Sequence, residues 1–200
     1  MENKVALFDM DNTLFDYEGQ IRRNLRSLMA PGETESIDLH DESKPYLKNR
    51  MELIKSTPGW WRNLPKHQPG FDVYDMAESI GFDCHVLTKG PDPKITPLAW
   101  TEKAQCVVDH FGNKMSLDIV GKNKSARYGR VLVEDYPEYI LGWLQHRPRG
   151  LVILIDQHYN RNFNHKQVVR YSLPSDMFKV RQALQAAYVR PSGQSWQEHI

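Results

Sequence analysis

Residues 5–15 of the chain read Val5-Ala6-Leu7-Phe8-Asp9-Met10-Asp11-Asn12-Thr13-Leu14-Phe15. The first four are continuously apolar, which is typical of a strand covered on both faces, as in a parallel sheet. Side chains two positions apart in a strand point the same way, so Asp9 and Asp11 would face one side. Two neighbouring carboxylates repel each other unless a proton or a metal ion lies between them. Because a buried strand has no structural use for such a pair, we interpret it as a functional site.

The length and composition indicate an ordinary globular protein. The 200 residues allow one domain, with or without a small insertion. A formal net charge of +1 gives no general attraction to nucleic acid or to a membrane surface. Cys84 and Cys106 lie in apolar surroundings far apart, which favours reduced core residues of a cytosolic protein. The chain enters its first predicted strand almost at once, leaving no room for a signal peptide, and no apolar run is long enough to span a membrane. We therefore predict a cytoplasmic protein without a membrane partner.

Beyond residue 65, short apolar runs alternate with segments of helical periodicity. Together with residues 5–8, the predicted strands are 84–88, 116–120, 130–133 and 151–155, and the predicted helices are 71–80, 96–111, 137–145 and 175–190. This alternation predicts an α/β fold with a Rossmann-like open parallel sheet, right-handed crossovers and helices on both faces. No element is predicted between residues 156 and 174, and the last ten residues are predicted to be a polar tail.

Residues 17–65 differ in character from the rest. Helical stretches are predicted at 20–29 and 45–55, separated by Pro31-Gly32 and a polar segment, and an aromatic loop follows at 57–65. This pattern predicts a small α-helical cap inserted after the first strand. The Rossmann-like core would then comprise residues 1–16 and 66–200, and the cap residues 17–65.

Polar side chains follow several predicted strands where each strand ends. They are Asp9, Asp11 and Thr13 after the first strand, Thr88 after the second, and Glu134 and Asp135 after the fourth, with Lys103 near the start of the helix after Thr88. Ligands of open α/β sheets bind at this carboxyl edge. Carboxylates suit Mg²⁺, whereas a lysine and a hydroxyl can hold phosphate oxygens. One carboxylate can attack phosphorus while a second protonates the leaving oxygen.

This ordered set of motifs resembles that of the haloacid-dehalogenase-type phosphatases, and more narrowly that of the 5'(3')-deoxyribonucleotidases. The DxDxT motif alone resembles only the wider superfamily. The narrower resemblance rests on Pro58-Gly59-Trp60-Trp61, Leu64-Pro65, Pro69-Gly70, Leu87-Thr88, Trp100-x-Glu102-Lys103, Lys122-Asn123-Lys124 and Leu132-Val133-Glu134-Asp135, in that order. It covers roughly residues 4 to 160.

The resemblance implies roles for the acidic residues. Asp9 would be the nucleophile and Asp11 the general acid and base. Mg²⁺ would be held by Asp9, by Asp11 through its backbone carbonyl, and by Asp135. Asp135 could instead cap the helix that begins near Pro137. Whether Glu134, which stands in place of the family's first aspartate, touches the metal is left open.

The resemblance also implies roles for basic and aromatic residues. Thr88 and Lys103 would bind phosphate, Lys89 would add positive charge, and Trp60 and Trp61 would enclose the nucleobase. Lys103 could alternatively be a solvated lysine, and the tryptophan pair could be core packing. Lys124 matches a second basic position, for which the sequence also offers Lys122 and Arg127.

We therefore expect Mg²⁺-dependent hydrolysis of (deoxy)nucleoside monophosphates to nucleoside and phosphate through an aspartyl-phosphate. The alternatives are a phosphatase acting on another small ester or a polynucleotide end, and an inactive nucleotide-binding protein of the same fold. No basic stripe suggests binding of long nucleic acid. Related nucleotidases are often dimers, so the resemblance allows a homodimer, although the sequence carries no separate interface signal. The departures at Asn12-Thr13 and Lys89-Gly90-Pro91 leave base and sugar preference open.

Overall fold

The computed structural model describes residues 4–36, 38–39, 41, 43–121 and 123–200. Its centre is a six-stranded sheet in which all neighbouring strands are parallel. The strands are β1 (Val5–Phe8), β2 (Asp83–Lys89), β3 (Ser116–Val120), β4 (Val131–Glu134), β5 (Leu151–Ile155) and β6 (Val168–Tyr171). Their spatial order is β3-β2-β1-β4-β5-β6. The predicted Rossmann-like α/β fold is confirmed.

Helices cover both faces of the sheet, as predicted. They are α1 (Tyr17–Arg26), α2 (Pro45–Lys55), α3 (Gln68–Ile80), α4 (Ala99–Phe111), α5 (Pro137–His146) and α6 (Met177–Val189). Ala6 and Phe8 of β1 pack in one core cluster with buried residues of α3, α4 and α6. Val5 and Leu7 point the other way and pack with Trp143 of α5. The strictly alternating side chains of β1 thus join two cores, which explains its continuous apolar run.

The segment between β1 and α3 contains α1 and α2, which pack against each other. The predicted helix at 45–55 is confirmed, whereas the helix predicted at 20–29 begins earlier, at Tyr17. It begins there because the Asp16 carboxylate accepts a hydrogen bond from the Gly19 N–H at 3.0 Å and so caps the first turn. Ile21, Leu25 and Met51 bury their side chains in the larger core cluster.

The last third of the chain contains two features that the sequence interpretation missed. β6 lies within the stretch for which no element was predicted, and it pairs with β5 from Val168 to Tyr171. The last ten residues are not a polar tail, because they contain a 3₁₀ turn whose Trp196 is only 4% exposed. No helix in the described part of the chain is long and apolar enough to cross a membrane.

Candidate active site

The carboxyl ends of β1 and β4 bring three acidic residues together. The Asp9 N–H donates to the Val133 carbonyl at 2.9 Å, which continues the pairing of the two strands to the point where β4 ends. One carboxylate oxygen from each of Asp9, Glu134 and Asp135 lies within 4.8 Å of the other two, and all three residues are buried. Glu134 therefore lies beside Asp9 and Asp135, two of the three predicted metal ligands. The side chain of Asp11 lies outside this group.

Lys124 lies against the same carboxylates. Its ammonium donates to Oδ1 of Asp9 and, at 2.7 Å, to Oε2 of Glu134. The lysine begins a 3₁₀ turn whose preceding Asn123 accepts a hydrogen bond from the Ser125 N–H at 2.8 Å. Burial lowers the pKa of Lys124, but the two carboxylates outweigh burial and the net shift is upward. The ammonium therefore remains charged inside the protein.

The two other candidates for this basic position differ from Lys124. Arg127 pairs with Asp118 at 2.7 Å and is half exposed. Lys122 lies outside the described residues. Of the two described candidates, Lys124 is the one that the structure brings to the acidic cluster.

Asp11 has a different partner. The fully buried ammonium of Lys103, on α4, donates to Oδ2 of Asp11 at 2.6 Å, to the Thr88 hydroxyl at 2.9 Å and to the Lys89 carbonyl at 3.3 Å. The other carboxylate oxygen, Oδ1, is buried and has no hydrogen-bond partner among the described residues. The two aspartates of one motif are thus held by two separate lysines, and one oxygen of Asp11 remains available.

Burial dominates the electrostatics of the acidic residues. It raises the pKa of Asp9 to about 6, with a further upward contribution from Glu134 that Lys124 opposes. Burial likewise raises the pKa of Asp11 against the influence of Lys103, and raises that of Asp135 together with Glu134 and Asp9. Three clustered carboxyl groups, with Asp11 beside them, thus share two buried lysines, and burial opposes the ionisation of Asp9, Asp11 and Asp135. A divalent cation with oxygen ligands fits this donor set and charge.

The acidic cluster opens into a cavity of about 610 Å³, a volume suited to a small molecule. Its lining combines residues of the acidic cluster, residues of the segment between β1 and α3, and residues that follow β2, β4 and β5. Side chains lining the cavity include Asp9, Asp11, Lys124, Glu134, Asp135, Tyr17, Met51, Lys55, Trp61, Lys89, Tyr136, Tyr139 and Tyr159.

The two tryptophans occupy different positions. Trp61 lines the cavity and stacks on Tyr17, with ring centroids 5.6 Å apart and 28° between the planes. Trp60 packs edge-on against Trp61 at 4.9 Å and donates from Nε1 to the Asn24 side chain at 3.0 Å, so it supports Trp61 from behind. Both rings are buried in the core cluster, which agrees with the packing alternative.

Comparison with known proteins adds to this geometry. No family model matches the chain. Proteins of Bordetella pertussis and Bordetella bronchiseptica named "Putative 5'(3')-deoxyribonucleotidase" are each 25% identical over an alignment of 170 residues that covers 79% of this chain and 86% of theirs. The crystal structure of a haloacid dehalogenase-like family hydrolase from Xanthomonas campestris superposes with a TM-score of 0.51 and 13% identity over 94% of this chain and 99% of that one. The fold is that of the haloacid dehalogenase-like hydrolases.

Within this haloacid dehalogenase-like fold, Thr88 and Lys103 form a buried layer beneath Asp11. Both are fully buried, and neither is among the described side chains that line the cavity. Direct contact of these two residues with phosphate therefore stays a prediction. Lys89 and Lys124, in contrast, both reach the cavity.

The sequence interpretation missed the role of Glu102. In the nucleotidase resemblance it served only as a marker beside Lys103. Its buried carboxylate accepts hydrogen bonds from the backbone N–H groups of Gly59 at 2.7 Å and Trp61 at 3.2 Å. Adjacent residues of α4 thus serve two purposes, since Glu102 anchors the aromatic loop and Lys103 holds Asp11. Tyr159, whose hydroxyl donates to Asp135, was also missed. It lies in a stretch with no recognisable motif.

Proposed function

We propose that the protein is a Mg²⁺-dependent phosphomonoesterase that hydrolyses (deoxy)nucleoside monophosphates, with residues 17–65 acting as a cap over the site. The observation that carries the proposal is the separate pairing of the two motif aspartates. Asp9 is bonded to Lys124 and lies in the group with Glu134 and Asp135, whereas Asp11 is bonded to Lys103 and keeps one oxygen unpartnered within the described structure. Two carboxylates in two environments suit two chemical roles.

Asp9, Glu134 and Asp135 are the side chains that would hold Mg²⁺. The ion, when bound, would supply Lewis-acid stabilisation of the charge on the phosphoryl oxygens. Lys124 holds Oδ1 of Asp9 and thereby orients this carboxylate. Lys124 and Lys89 add positive charge on the cavity surface where an anionic phosphate would bind.

In the first chemical step, a carboxylate oxygen of Asp9 attacks phosphorus and the bond from phosphorus to the leaving oxygen breaks. Asp11 gives its proton to that oxygen, which departs as the nucleoside hydroxyl. Because Lys103 occupies Oδ2, Oδ1 is the oxygen that would carry this proton, and burial acts in the same direction by raising the Asp11 pKa. The product on the enzyme is an aspartyl-phosphate at Asp9.

In the second step, water attacks the phosphorus of the aspartyl-phosphate. Asp11, now ionised, takes a proton from this water, and the bond between phosphorus and the Asp9 oxygen breaks. Inorganic phosphate leaves, Asp9 returns as a carboxylate and Asp11 is again protonated. Each bond broken is thus balanced by one formed, and no other reactant is needed.

The cavity walls support a flat, aromatic leaving group. Trp61 and Tyr17 present stacked rings to the cavity, and Tyr136 and Tyr139, with ring centroids 5.3 Å apart, also line it. Aromatic walls of this kind favour stacking with a nucleobase. The name of the Bordetella relatives agrees with a nucleotide substrate.

A panel of ribo- and deoxyribonucleoside monophosphates carrying 2', 3' or 5' phosphates tests the proposal, with phosphate release measured with and without Mg²⁺. Release from at least one nucleotide, abolished by Asp9→Asn or by removal of Mg²⁺, is expected. Asp109→Asn is the matched control, since Asp109 pairs with Arg62 on the exposed surface. Release only from a simple aryl phosphate would reject the nucleotide specificity, and no release from any ester would reject the phosphatase.

A further inference from the structure

The loop between β5 and β6 contributes a tyrosine to the acidic cluster. The Tyr159 hydroxyl donates a hydrogen bond to Oδ2 of Asp135 and accepts one from the Asn12 side-chain amide at 3.0 Å. The other Asp135 oxygen, Oδ1, accepts from the Thr13 hydroxyl at 3.0 Å. Both carboxylate oxygens of Asp135 are therefore held by neutral hydroxyl donors, in contrast to the lysine-bound carboxylates of Asp9 and Asp11.

A buried asparagine fixes the position of this loop. The Asn160 side-chain amide donates to the Asp135 carbonyl at 2.7 Å and to the Ile155 carbonyl at 2.9 Å. Its own oxygen accepts from the Arg170 guanidinium at 2.8 Å and from the Gln157 N–H at 3.1 Å. Asn160 thus joins the end of β5, the residue after β4 and the loop itself.

Arg170 of β6 holds the same loop from the other side. Its guanidinium donates to the Asp156 carboxylate. It also donates to the backbone carbonyls of Asn160 and Phe163, both at 2.9 Å. An arginine with this many acceptors at both ends of a loop leaves the intervening residues little freedom. The Tyr159 hydroxyl is consequently presented to Asp135 from a rigid support.

The β5–β6 loop also forms hydrogen bonds to the turn that follows Asp11. The Gln157 side chain donates to the Asn12 carbonyl at 2.9 Å, and the Asn12 side-chain oxygen accepts from the Glu18 N–H at 2.8 Å. Asn12 has a φ of 58°, in the left-handed region that non-glycine residues rarely adopt. Hydrogen bonds on both sides of this residue hold the strained turn in place.

We infer that Tyr159 is a positioning residue that orients Asp135 for a divalent cation. The inference rests on the metal site of the proposed function. A neutral hydroxyl fixes the direction of a carboxylate without cancelling its charge, and each carboxylate oxygen retains a further lone pair for a metal. Outer partners that orient metal ligands affect affinity by about 10- to 100-fold when they are removed.

The test is the affinity of the full-length protein for Mg²⁺, measured by isothermal titration calorimetry without substrate. Tyr159→Phe keeps the ring, which lies 5.0 Å from His158 and 6.3 Å from Tyr136, and removes only the hydroxyl. We expect Mg²⁺ to bind about tenfold more weakly or worse. The Mg²⁺ concentration for half-maximal phosphate release should rise by a similar factor, while kcat at saturating Mg²⁺ should change much less.

Two further variants sharpen the result. Tyr46→Phe removes a hydroxyl from an exposed tyrosine that is not among the described residues lining the cavity, and it should leave the Mg²⁺ affinity unchanged. In Asn12→Gly, the glycine accepts the positive φ, but the amide that donates to Tyr159 is lost. We expect a loss of Mg²⁺ affinity smaller than that of Tyr159→Phe. This variant replaces Tyr159→Phe in the test if Tyr159→Phe does not fold. Wild-type affinity in the folded Tyr159→Phe protein, or in Asn12→Gly in its place, would overturn the inference. Absence of Mg²⁺ binding by the wild-type protein would instead overturn the proposed metal site.

Discussion

The ammonium of Lys103 lies 2.6 Å from Oδ2 of Asp11, although 92 positions separate the two residues in the chain. The lysine side chain is 0% exposed and the aspartate side chain 27% exposed. The ion pair therefore links Lys103, which is buried, to Asp11, which lines the cavity. It also leaves Oδ1 as the Asp11 oxygen without a hydrogen-bond partner among the described residues.

Lys103→Met tests this pair by replacing the ammonium with an apolar group of similar length. Removing one partner of a buried ion pair leaves the other uncompensated, so the free energy of unfolding should fall by about 3 kcal/mol. We also expect kcat for phosphate release to fall about 100-fold, because the charge near the reacting phosphoryl group is lost. Urea unfolding and steady-state kinetics measure the two effects.

Lys114→Met is the matched control for Lys103→Met. Lys114 pairs with Glu78 at 3.2 Å, and its side chain is 69% exposed. Exposed pairs contribute at most about 1 kcal/mol, so this variant should retain both stability and kcat. A Lys103→Met protein as active as the control would reject a role for the ammonium in the reaction.

The two tryptophans should separate in their effects on kinetics. Trp61 lines the cavity, so Trp61→Leu should raise KM for a nucleotide several-fold and leave KM for a small aryl phosphate nearly unchanged. Trp60 packs behind it, so Trp60→Leu should act mainly on stability, lowering the free energy of unfolding by about 2 kcal/mol. Equal changes in KM for both substrates in Trp61→Leu would make that ring structural as well.

Glu102 should anchor the aromatic loop through its charge. Glu102→Gln keeps the shape but places an amide nitrogen opposite one of the two N–H groups that the carboxylate serves, at Gly59 and Trp61. We expect a loss of about 2 kcal/mol in the free energy of unfolding, and a changed tryptophan emission spectrum as Trp61 moves. Asp109→Asn, at an exposed pair with Arg62, should lower the free energy of unfolding much less than Glu102→Gln does. Similar losses in both variants would contradict the anchoring role.

The strand ends were predictable because their chemistry is local. An apolar run followed by Asp9 and Asp11, or by Glu134 and Asp135, identifies a strand and its polar end without knowledge of the fold. The parallel sheet then brings the ends of β1 and β4 together. The sequence could not tell which carboxylate each lysine would bind. Lys103 and Lys124 lie 92 and 115 positions from their partner aspartates, and only the tertiary structure determines these pairings.

β6 and its loop were not predictable for a different reason. The strand is only four residues long, and Arg170 interrupts its apolar character, so no periodic pattern marks it. Arg170 instead binds the preceding loop, in which Tyr159 contacts Asp135. A residue that makes a long-range contact can thus break the local pattern by which a strand is recognised. Similarly, the last ten residues are polar in composition but contain one buried tryptophan.

Trp196 connects the C-terminal residues to the sheet. Its Nε1–H donates to the buried Gln167 side chain at 2.7 Å, immediately before β6, and its ring is 4% exposed. Trp196→Ala should lower the free energy of unfolding by about 3 kcal/mol or more, since it opens a cavity and leaves the Gln167 oxygen without its donor. Ile200→Ala, at a side chain 73% exposed, should change it by less than about 0.5 kcal/mol. Urea unfolding of both variants decides the matter, and a Trp196→Ala protein as stable as Ile200→Ala would show that the C-terminal turn contributes nothing to the fold.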